Sequence, residues 1–245
     1  MMIKHYLKVA FRNLAKYKVQ SIVSILGLAV GFVCFALSTL WIRYEMTYDT
    51  FHEGAERIYL VRAHYAHEPG KISNSTPYPL ADYLQKGNPE IEAMASTSVQ
   101  KVKFRVKDTE KDVVSAAADS VLMNFFNIRV LRGTVNFLKG TNGEIAITEE
   151  FSKRIFGEEE ALGREVEVSG HASKVGAIVS GWSSHSNIPY SILTSARHYT
   201  QWGSANENLF VRIRKGTNGE EFQKKIAALR INDICLLYTS PSPRD

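Results

Sequence analysis

An uninterrupted apolar stretch near the N-terminus dominates the hydrophobic pattern of this chain. Residues 19–42 read VQSIVSILGLAVGFVCFALSTLWI and contain no charged side chain. As a helix this stretch would be roughly 36 Å long, more than a hydrocarbon core of about 30 Å requires. It is longer than a signal-peptide core, and residues 40–44 (LWIRY) are typical of a membrane interface. The pattern therefore predicts one uncleaved transmembrane helix, with a buried helix of a soluble domain as the alternative.

The residues before this stretch combine an apolar face with a basic face. Apolar side chains recur at helical spacing, and a basic residue recurs at every fourth position: Lys4, Lys8, Arg12 and Lys16. This pattern predicts an amphipathic helix over residues 1–18 that lies on the membrane surface. The helix would be either an elbow that contacts a cytoplasmic partner or a simple surface anchor.

Small residues mark one face of the predicted transmembrane helix. Gly27 and Gly31 form a GxxxG pair, and Ser24 precedes them by about one turn. Small residues at this spacing allow a neighbouring helix to approach closely. We therefore predict a helix-packing face at these three positions, which a multi-helix membrane protein would use and a lone anchor would not need.

Beyond residue 43 the apolar run gives way to short segments of alternating character. The predicted strands lie near residues 57–64, 101–107, 128–131, 144–148, 164–168, 174–179 and 208–214. The predicted helices begin near Thr76, Asp119, Thr148 and Thr217, the last as the N-cap of a Thr-x-x-Glu capping box. The fold class predicted is therefore α+β: an N-terminal amphipathic helix and one transmembrane helix, followed by a mixed α+β extracytoplasmic domain over residues 43–230.

The final residues, 231–245, depart from this pattern. An apolar segment, ICLLY, is followed by TSPSPRD, and the prolines exclude a helix or a central strand there. The segment resembles the translated adapter sequence found at the broken ends of assembled genes. We therefore predict a non-native tail and a natural protein that continues further. An ordinary disordered terminus is the alternative.

The positive charge of the chain is concentrated at one end. The formal net charge is +5, and residues 1–18 alone carry five basic side chains and no acidic one. The remainder is electrically balanced, so the charge does not indicate a nucleic-acid partner. A basic flank before a membrane helix predicts a cytoplasmic N-terminus and a main domain on the outer side of the membrane. The two cysteines, Cys34 and Cys235, indicate no disulfide framework.

Familiar catalytic motifs are missing from the sequence. It contains no GxxxxGK[ST], GxGxxG, GxSxG, HExxH or CxxC pattern. We therefore predict no catalytic, cofactor-binding or metal site, and no enzymatic activity. His185 lies in a polar segment and could serve as the base of a nucleophile pair, but no carboxylate is near it in sequence to orient it. A membrane-anchored hydrolase is accordingly less favoured.

Several short patterns together carry a family resemblance over residues 2–230. They are Arg12-Asn13-Leu14, Gly27 with Gly31, Tyr48-Asp49-x-Phe51-His52, Phe125-Phe126-x-Ile128, Ile145-Ala146-Ile147-Thr148-Glu149, Phe156-Gly157 with Leu162-Gly163, and the turn from Trp182 to Tyr190. Their order resembles that of MacB/FtsX-type permease subunits of ATP-binding cassette (ABC) transporters, especially the stand-alone permeases of Bacteroidetes.

The resemblance implies an organisation and a function. It implies four membrane helices per unit in the inner (plasma) membrane, a periplasmic core domain between the first and second, a separate ABC ATPase subunit, and a second permease copy in a dimer. Further partners would be the lipid bilayer and periplasmic or outer-membrane components. The chain would couple ATP hydrolysis by its partner to movement of the outer domain, for export or extraction of a peptide, drug or lipoprotein. A bitopic membrane-anchored sensor or ligand-binding protein is the alternative.

Overall fold

The computed structural model of the chain describes residues 5, 6, 9, 12, 16–47, 52, 54–65, 70–107, 109–182, 186, 190–231 and 234–239. The chain divides into two compact units, one ending at Thr47 and one beginning at Tyr48. The second unit is called the outer domain below.

The first unit contains a long apolar helix, α1, which spans Lys18–Met46. Its residues are not buried by the rest of the protein, and its length and composition are sufficient to cross a membrane. The helix includes the predicted span and continues four residues past it. Before α1, Arg12 and Lys16 are helical and exposed, whereas Lys4 and Lys8 lie outside the described residues.

The outer domain mixes short helices with β-strands, so the predicted α+β class is confirmed. The helices are α2 (Pro79–Gly87), α3 (Ser120–Phe125), α4 (Glu149–Phe156) and α5 (Gly219–Ala227), with 3-10 turns at Ala55–Arg57 and Val135–Lys139. The strands are β1 (Ile58–Tyr65), β2 (Ile72–Ser73), β3 (Thr76–Pro77), β4 (Ile91–Thr97), β5 (Val99–Val106), β6 (Thr109–Ala118), β7 (Val130–Gly133), β8 (Glu144–Thr148), β9 (Glu165–Val168), β10 (His171–Val179), β11 (Ile192–Ser195), β12 (Ala205–Ile213), β13 (Arg230–Ile231) and β14 (Ile234–Thr239).

One part of the outer domain is an antiparallel sheet covered by two helices. Its main strands lie in the order β14-β1-β12-β4, and α2 and α5 each connect two of them. This arrangement is the split β-α-β pattern. Leu80 and Leu84 of α2 and Phe222 and Ile226 of α5 share a buried cluster with Val211 of the sheet. We call β1–β4, β12–β14, α2 and α5 the sheet lobe.

The chain between β4 and β12 forms a second part, the barrel lobe, which comprises β5–β11, α3 and α4. The strands pair in a closed ring, β10-β8-β11-β6-β5-β9, because β9 pairs with both β5 and β10. Phe104 of β5 and Phe151 of α4 are buried in the core of this lobe, with ring centroids 5.0 Å apart. The predicted alternation is confirmed, since Val102 and Phe104 are buried while Lys103 is exposed.

Polar side chains cap the N-termini of α3, α4 and α5, whereas α2 begins at Pro79 without a side-chain cap. The side chains of Asp119 and Thr148 accept hydrogen bonds from the first turns of α3 and α4, so both helices begin where the sequence predicts. The prediction that Thr217 is the N-cap of α5 was wrong. Asn218, not Thr217, is the N-cap, because its side chain accepts hydrogen bonds from the backbone N–H groups of both Glu220 and Glu221.

Part of the C-terminal tail is a strand. β14 pairs antiparallel with β1, from Leu60 opposite Thr239 to Tyr65 opposite Ile234. The sequence pattern did not indicate this pairing, which adds a neighbour on the side of β1 away from β12. The proline-rich end of the tail lies outside the described residues, and its non-native origin stays a prediction from the sequence.

Candidate functional site

The two lobes of the outer domain share one buried core around α3. Leu122, Phe125 and Phe126 lie in a cluster that also contains residues of the sheet lobe, such as Phe210, and residues of the barrel lobe, such as Leu193. Helix α3 follows β6 of the barrel lobe along the chain but packs against β4 of the sheet lobe. Apolar burial of this kind resists separation of the lobes.

A histidine joins the lobes at the N-terminal end of α3. His198, in the connection from β11 to β12, places Nε2 at 3.2 Å from Oδ2 of Asp119 and Nδ1 at 3.3 Å from Oε1 of Glu207. Asp119 is the N-cap of α3, and Glu207 belongs to β12. We call Asp119, His198 and Glu207 the histidine bridge.

The histidine bridge is charged and largely shielded from water. The Glu207 side chain is 5% exposed and that of His198 is 17% exposed, and the Tyr78 ring stacks on the imidazole at a centroid distance of 4.0 Å. Hydrogen bonds to Asp119 and Glu207 raise the pKa of His198 to about 9, although burial acts in the opposite direction. His198 is therefore an imidazolium at neutral pH.

Asp119 is held ionised in the same cluster. Burial acts to raise its pKa, but hydrogen bonds from His198 and from the Leu122 N–H outweigh burial, so the pKa lies below its usual value. Both ring nitrogens of His198 face carboxylates. The imidazolium therefore has no nitrogen left to accept a substrate proton, and the arrangement is suited to holding two elements together rather than to general base catalysis.

The raised pKa of His198 predicts a pH-dependent stability. Because the folded-state pKa of about 9 exceeds the ordinary histidine pKa of 6.5, the bridge contributes fully below pH 6.5 and loses its contribution as pH rises through 9. The total is on the order of 3 kcal/mol. Thermal unfolding measured from pH 6 to 9.5 should show this decline, and a His198→Gln variant should lack it. An equal decline in the variant would contradict the assignment.

An arginine of β12 holds the opposite end of α3. The guanidinium group of Arg212 donates a hydrogen bond from Nη2 to the carbonyl oxygen of Phe125 and lies 4.4 Å from the centroid of the Phe125 ring. A cation at the C-terminal carbonyls of a helix is favourable, and the aromatic face adds a cation–π contribution. Through Glu207 and Arg212, β12 thus holds both ends of α3. We call this arrangement the α3 clamp.

An aromatic cluster lies on the other side of Phe126. The ring of Trp182 is 4.8 Å from that of Phe126 and 4.9 Å from those of His52 and Tyr190. The Tyr190 hydroxyl donates to the Ser180 carbonyl at 3.0 Å, and burial raises its pKa. These contacts hold Trp182 and Tyr190 in place, the first and last residues of the turn that contributes to the family resemblance. His185, the candidate base of a hydrolase, lies outside the described residues.

The residues predicted from the sequence to be functional are not those of the α3 clamp. Ser24, Gly27 and Gly31 lie on α1 with exposed side chains or backbone, and the described basic residues of the N-terminal helix are also exposed. A Cβ added at either glycine would meet no atom within 4 Å. Within the described part of the chain, no group of three or more histidine, cysteine, aspartate or glutamate side chains is arranged to hold a metal ion.

Only one residue of the α3 clamp was singled out by the sequence pattern. Asp119 was predicted as the start of a helix, but its partner His198 is 79 positions away. No spacing rule connects residues that far apart, because their contact depends on how the barrel lobe is inserted into the sheet lobe.

The fold resembles that of several solved structures, including the following three. A domain of a permease protein from Porphyromonas gingivalis has 17% sequence identity and a TM-score of 0.63, covering 79% of this chain and 94% of that one. The extracellular domain of the noncanonic ABC-type transporter YknZ from Gram-positive bacteria has 15% identity and a TM-score of 0.52, covering 73% and 99%. The periplasmic region of MacB from Actinobacillus actinomycetemcomitans has 12% identity and a TM-score of 0.52, covering 80% and 91%.

The sequence itself assigns the family. No curated protein matches it. Residues 21–229 match the family described as MacB-like periplasmic core domain, and this match includes most of α1 and the outer domain as far as Leu229. The resemblance stated from the sequence motifs is therefore confirmed, and the chain belongs to the MacB-like periplasmic core domain family.

Proposed function

We propose that this chain is part of a permease subunit of an ABC transporter and passes motion from a partner ATPase to its outer domain. The family match over residues 21–229 carries the proposal, because it joins an apolar helix to a periplasmic core domain in one continuous segment. Similar folds occur in a permease protein, in the ABC-type transporter YknZ and in MacB. The substrate we propose is a peptide, drug or lipoprotein that is exported or extracted at the outer face of the inner membrane.

The proposed topology follows from the charges that flank α1. Its N-terminal side carries the whole positive excess of the chain, which favours a cytoplasmic N-terminus and a periplasmic outer domain. Lys4, Lys8, Arg12 and Lys16 would then form the cytoplasmic surface that contacts the ATPase.

The second proposed contact lies within the bilayer. Ser24, Gly27 and Gly31 would pack against another membrane helix, either of the same permease or of a second copy in a dimer. Small side chains favour such packing because the two backbones can approach closely and gain dispersion contacts.

The α3 clamp supports mechanical transmission in this proposal. A displacement of one lobe can reach the other only if their junction is stiff. The shared core around Phe125 and Phe126, together with the histidine bridge and Arg212, supplies both apolar and charged contacts at that junction. The outer domain would then act on its substrate by movement rather than by chemistry.

Co-purification tests the proposed partnership. We expect an ABC ATPase subunit to co-purify with the tagged, detergent-solubilised protein from its native membrane. Replacing Arg12 and Lys16 together with glutamate should reduce the recovered ATPase at least about fivefold, because charge reversal at a protein interface costs both attraction and steering.

The matched control carries the same charge change on the outer domain. Lys101→Glu combined with Lys111→Glu alters two exposed side chains of β5 and β6, and ATPase recovery should stay unchanged. If no ATPase accompanies the unmodified protein, the transporter proposal fails and a membrane-anchored sensor or ligand-binding protein becomes the better account.

A further inference from the structure

A polar pocket opens between the lobes, beside the C-terminal end of α3. Its volume is about 360 Å³, near the lower end of the range for small-molecule sites. Its walls include Glu92 and Arg212 of the sheet lobe, Arg57 at the end of the 3-10 turn before β1, and Asn124, Phe126 and Asn127 at the end of α3. The pocket therefore draws its lining from both lobes.

Each arginine uses one terminal nitrogen for internal contacts. Nη1 of Arg57 donates to Oε2 of Glu92 at 2.5 Å and to the Ile213 carbonyl at 2.8 Å, and Nη2 of Arg212 donates to the Phe125 carbonyl. Nη1 of Arg212 is 4.0 Å from Oε1 of Glu92, too far for a hydrogen bond. Nη2 of Arg57 and Nη1 of Arg212 make no hydrogen bond to the part of the chain that the structure describes.

The guanidinium groups are held in place. The Arg57 and Arg212 side chains are 17% and 19% exposed, and Arg212 is also fixed against the Phe125 ring. Donors that are already ordered lose little entropy when they bind a ligand.

The charges lining the pocket do not cancel. Two arginines face one carboxylate, Glu92, so the lining carries an excess positive charge. Glu56 comes within 3.7 Å of Nε of Arg57, but its side chain is 75% exposed and water screens it. A ligand with a single negative charge would neutralise the excess, and a carboxylate matches the planar N–H donors of a guanidinium group.

The remaining walls offer polar and apolar contacts. The side-chain amides of Asn124 and Asn127 make no hydrogen bonds to the described residues and can both donate and accept. Phe126 adds an aromatic surface. We infer that this pocket binds a small molecule through its carboxylate, which Arg57 and Arg212 hold while the two asparagines contact neighbouring polar groups. This inference does not depend on the transport function proposed above.

The experiment compares two probes that differ in one group. N-acetyl-alanyl-alanine carries a free carboxylate, and its C-terminal amide lacks the charge. Ligand-observed NMR on the detergent-solubilised protein should show the carboxylate binding at least about tenfold more tightly than the amide. Equal binding of the two probes, or no binding of the carboxylate up to about 10 mM, would overturn the inference.

Variants locate the binding. Asn124→Trp should fill the pocket and weaken carboxylate binding at least about tenfold, whereas Val121→Trp, at an exposed position on the same short helix, should leave it unchanged. Glu92→Gln removes the internal competitor for Arg57 and should strengthen binding several-fold. Equal affinity in the Asn124→Trp variant and the unmodified protein would place the probe elsewhere and overturn the inference.

Discussion

Replacement of His198 by alanine is expected to lower the free energy of unfolding of the outer domain by about 3–5 kcal/mol. The reason is the position of Glu207, whose side chain is only 5% exposed and would lose its charged partner. An uncompensated carboxylate at such a site costs more than the lost hydrogen bond alone. Thermal unfolding followed by tryptophan fluorescence should show a decrease in Tm of roughly 6–20 °C.

A double variant separates the charge effect from simple loss of packing. If the buried carboxylate of Glu207 is the cause, adding Glu207→Gln to His198→Ala should recover much of the lost stability, because the more deeply buried of the two carboxylates is then neutral. Asp119 also loses His198, but its side chain is 31% exposed and still accepts a hydrogen bond from the Leu122 N–H. A decrease below about 1 kcal/mol in the single variant would show that the histidine bridge does not hold the lobes together.

Replacement of Gly133 by alanine is expected to destabilise the barrel lobe by roughly 2–5 kcal/mol. Gly133 has φ +89°, which L-residues rarely adopt, and a Cβ there would lie 2.3 Å from the carbonyl oxygen of Gly176. Since that oxygen belongs to β10, the backbone itself must move. The edge pairing of β7 with β10 should be lost first, which hydrogen exchange of the β7 amides would detect.

Gly170 provides the matched control for this prediction. Its φ is +83°, but a Cβ there would meet no atom within 4 Å. Gly170→Ala should therefore cost only the conformational penalty, about 1–2 kcal/mol. Equal destabilisation by the two substitutions would show that the close approach of β7 to β10 is unimportant.

Local patterns were enough to predict much of the outer domain. The alternation in residues 101–107 predicted β5, because every second side chain enters the barrel core. Asp119 and Thr148 predicted the beginnings of α3 and α4, because capping depends only on backbone groups two or three residues away. These elements can be predicted because the residues that stabilise them lie close together in the chain.

Other strands were not predicted because their stability comes from neighbours distant in sequence. β6 reads TEKDVVSAAA, with charged residues followed by small ones, and it is a strand because β5 and β11 pair along its two edges. β14 was missed because its pairing with β1 joins segments about 170 positions apart. The closed ring of the barrel lobe likewise depends on β9 pairing with two strands at once.

The α3 clamp was not predictable for the same reason. His198 contacts Asp119 across 79 positions, and Arg212 contacts the Phe125 carbonyl across 87. In the sequence alone, nothing distinguishes His198 or Arg212 from any other charged residue. Only the insertion of the barrel lobe between β4 and β12 brings them to the two ends of one short helix.

We propose that α1 crosses the inner membrane with the basic segment inside and the outer domain outside. Cysteine labelling in spheroplasts with a membrane-impermeant maleimide tests this topology, in a background where Cys34 and Cys235 are alanine. Lys111→Cys in the outer domain should be labelled in intact spheroplasts, and Lys16→Cys only after lysis. Labelling of Lys16→Cys in intact spheroplasts, with Lys111→Cys protected until lysis, would contradict the topology and the transporter proposal built on it.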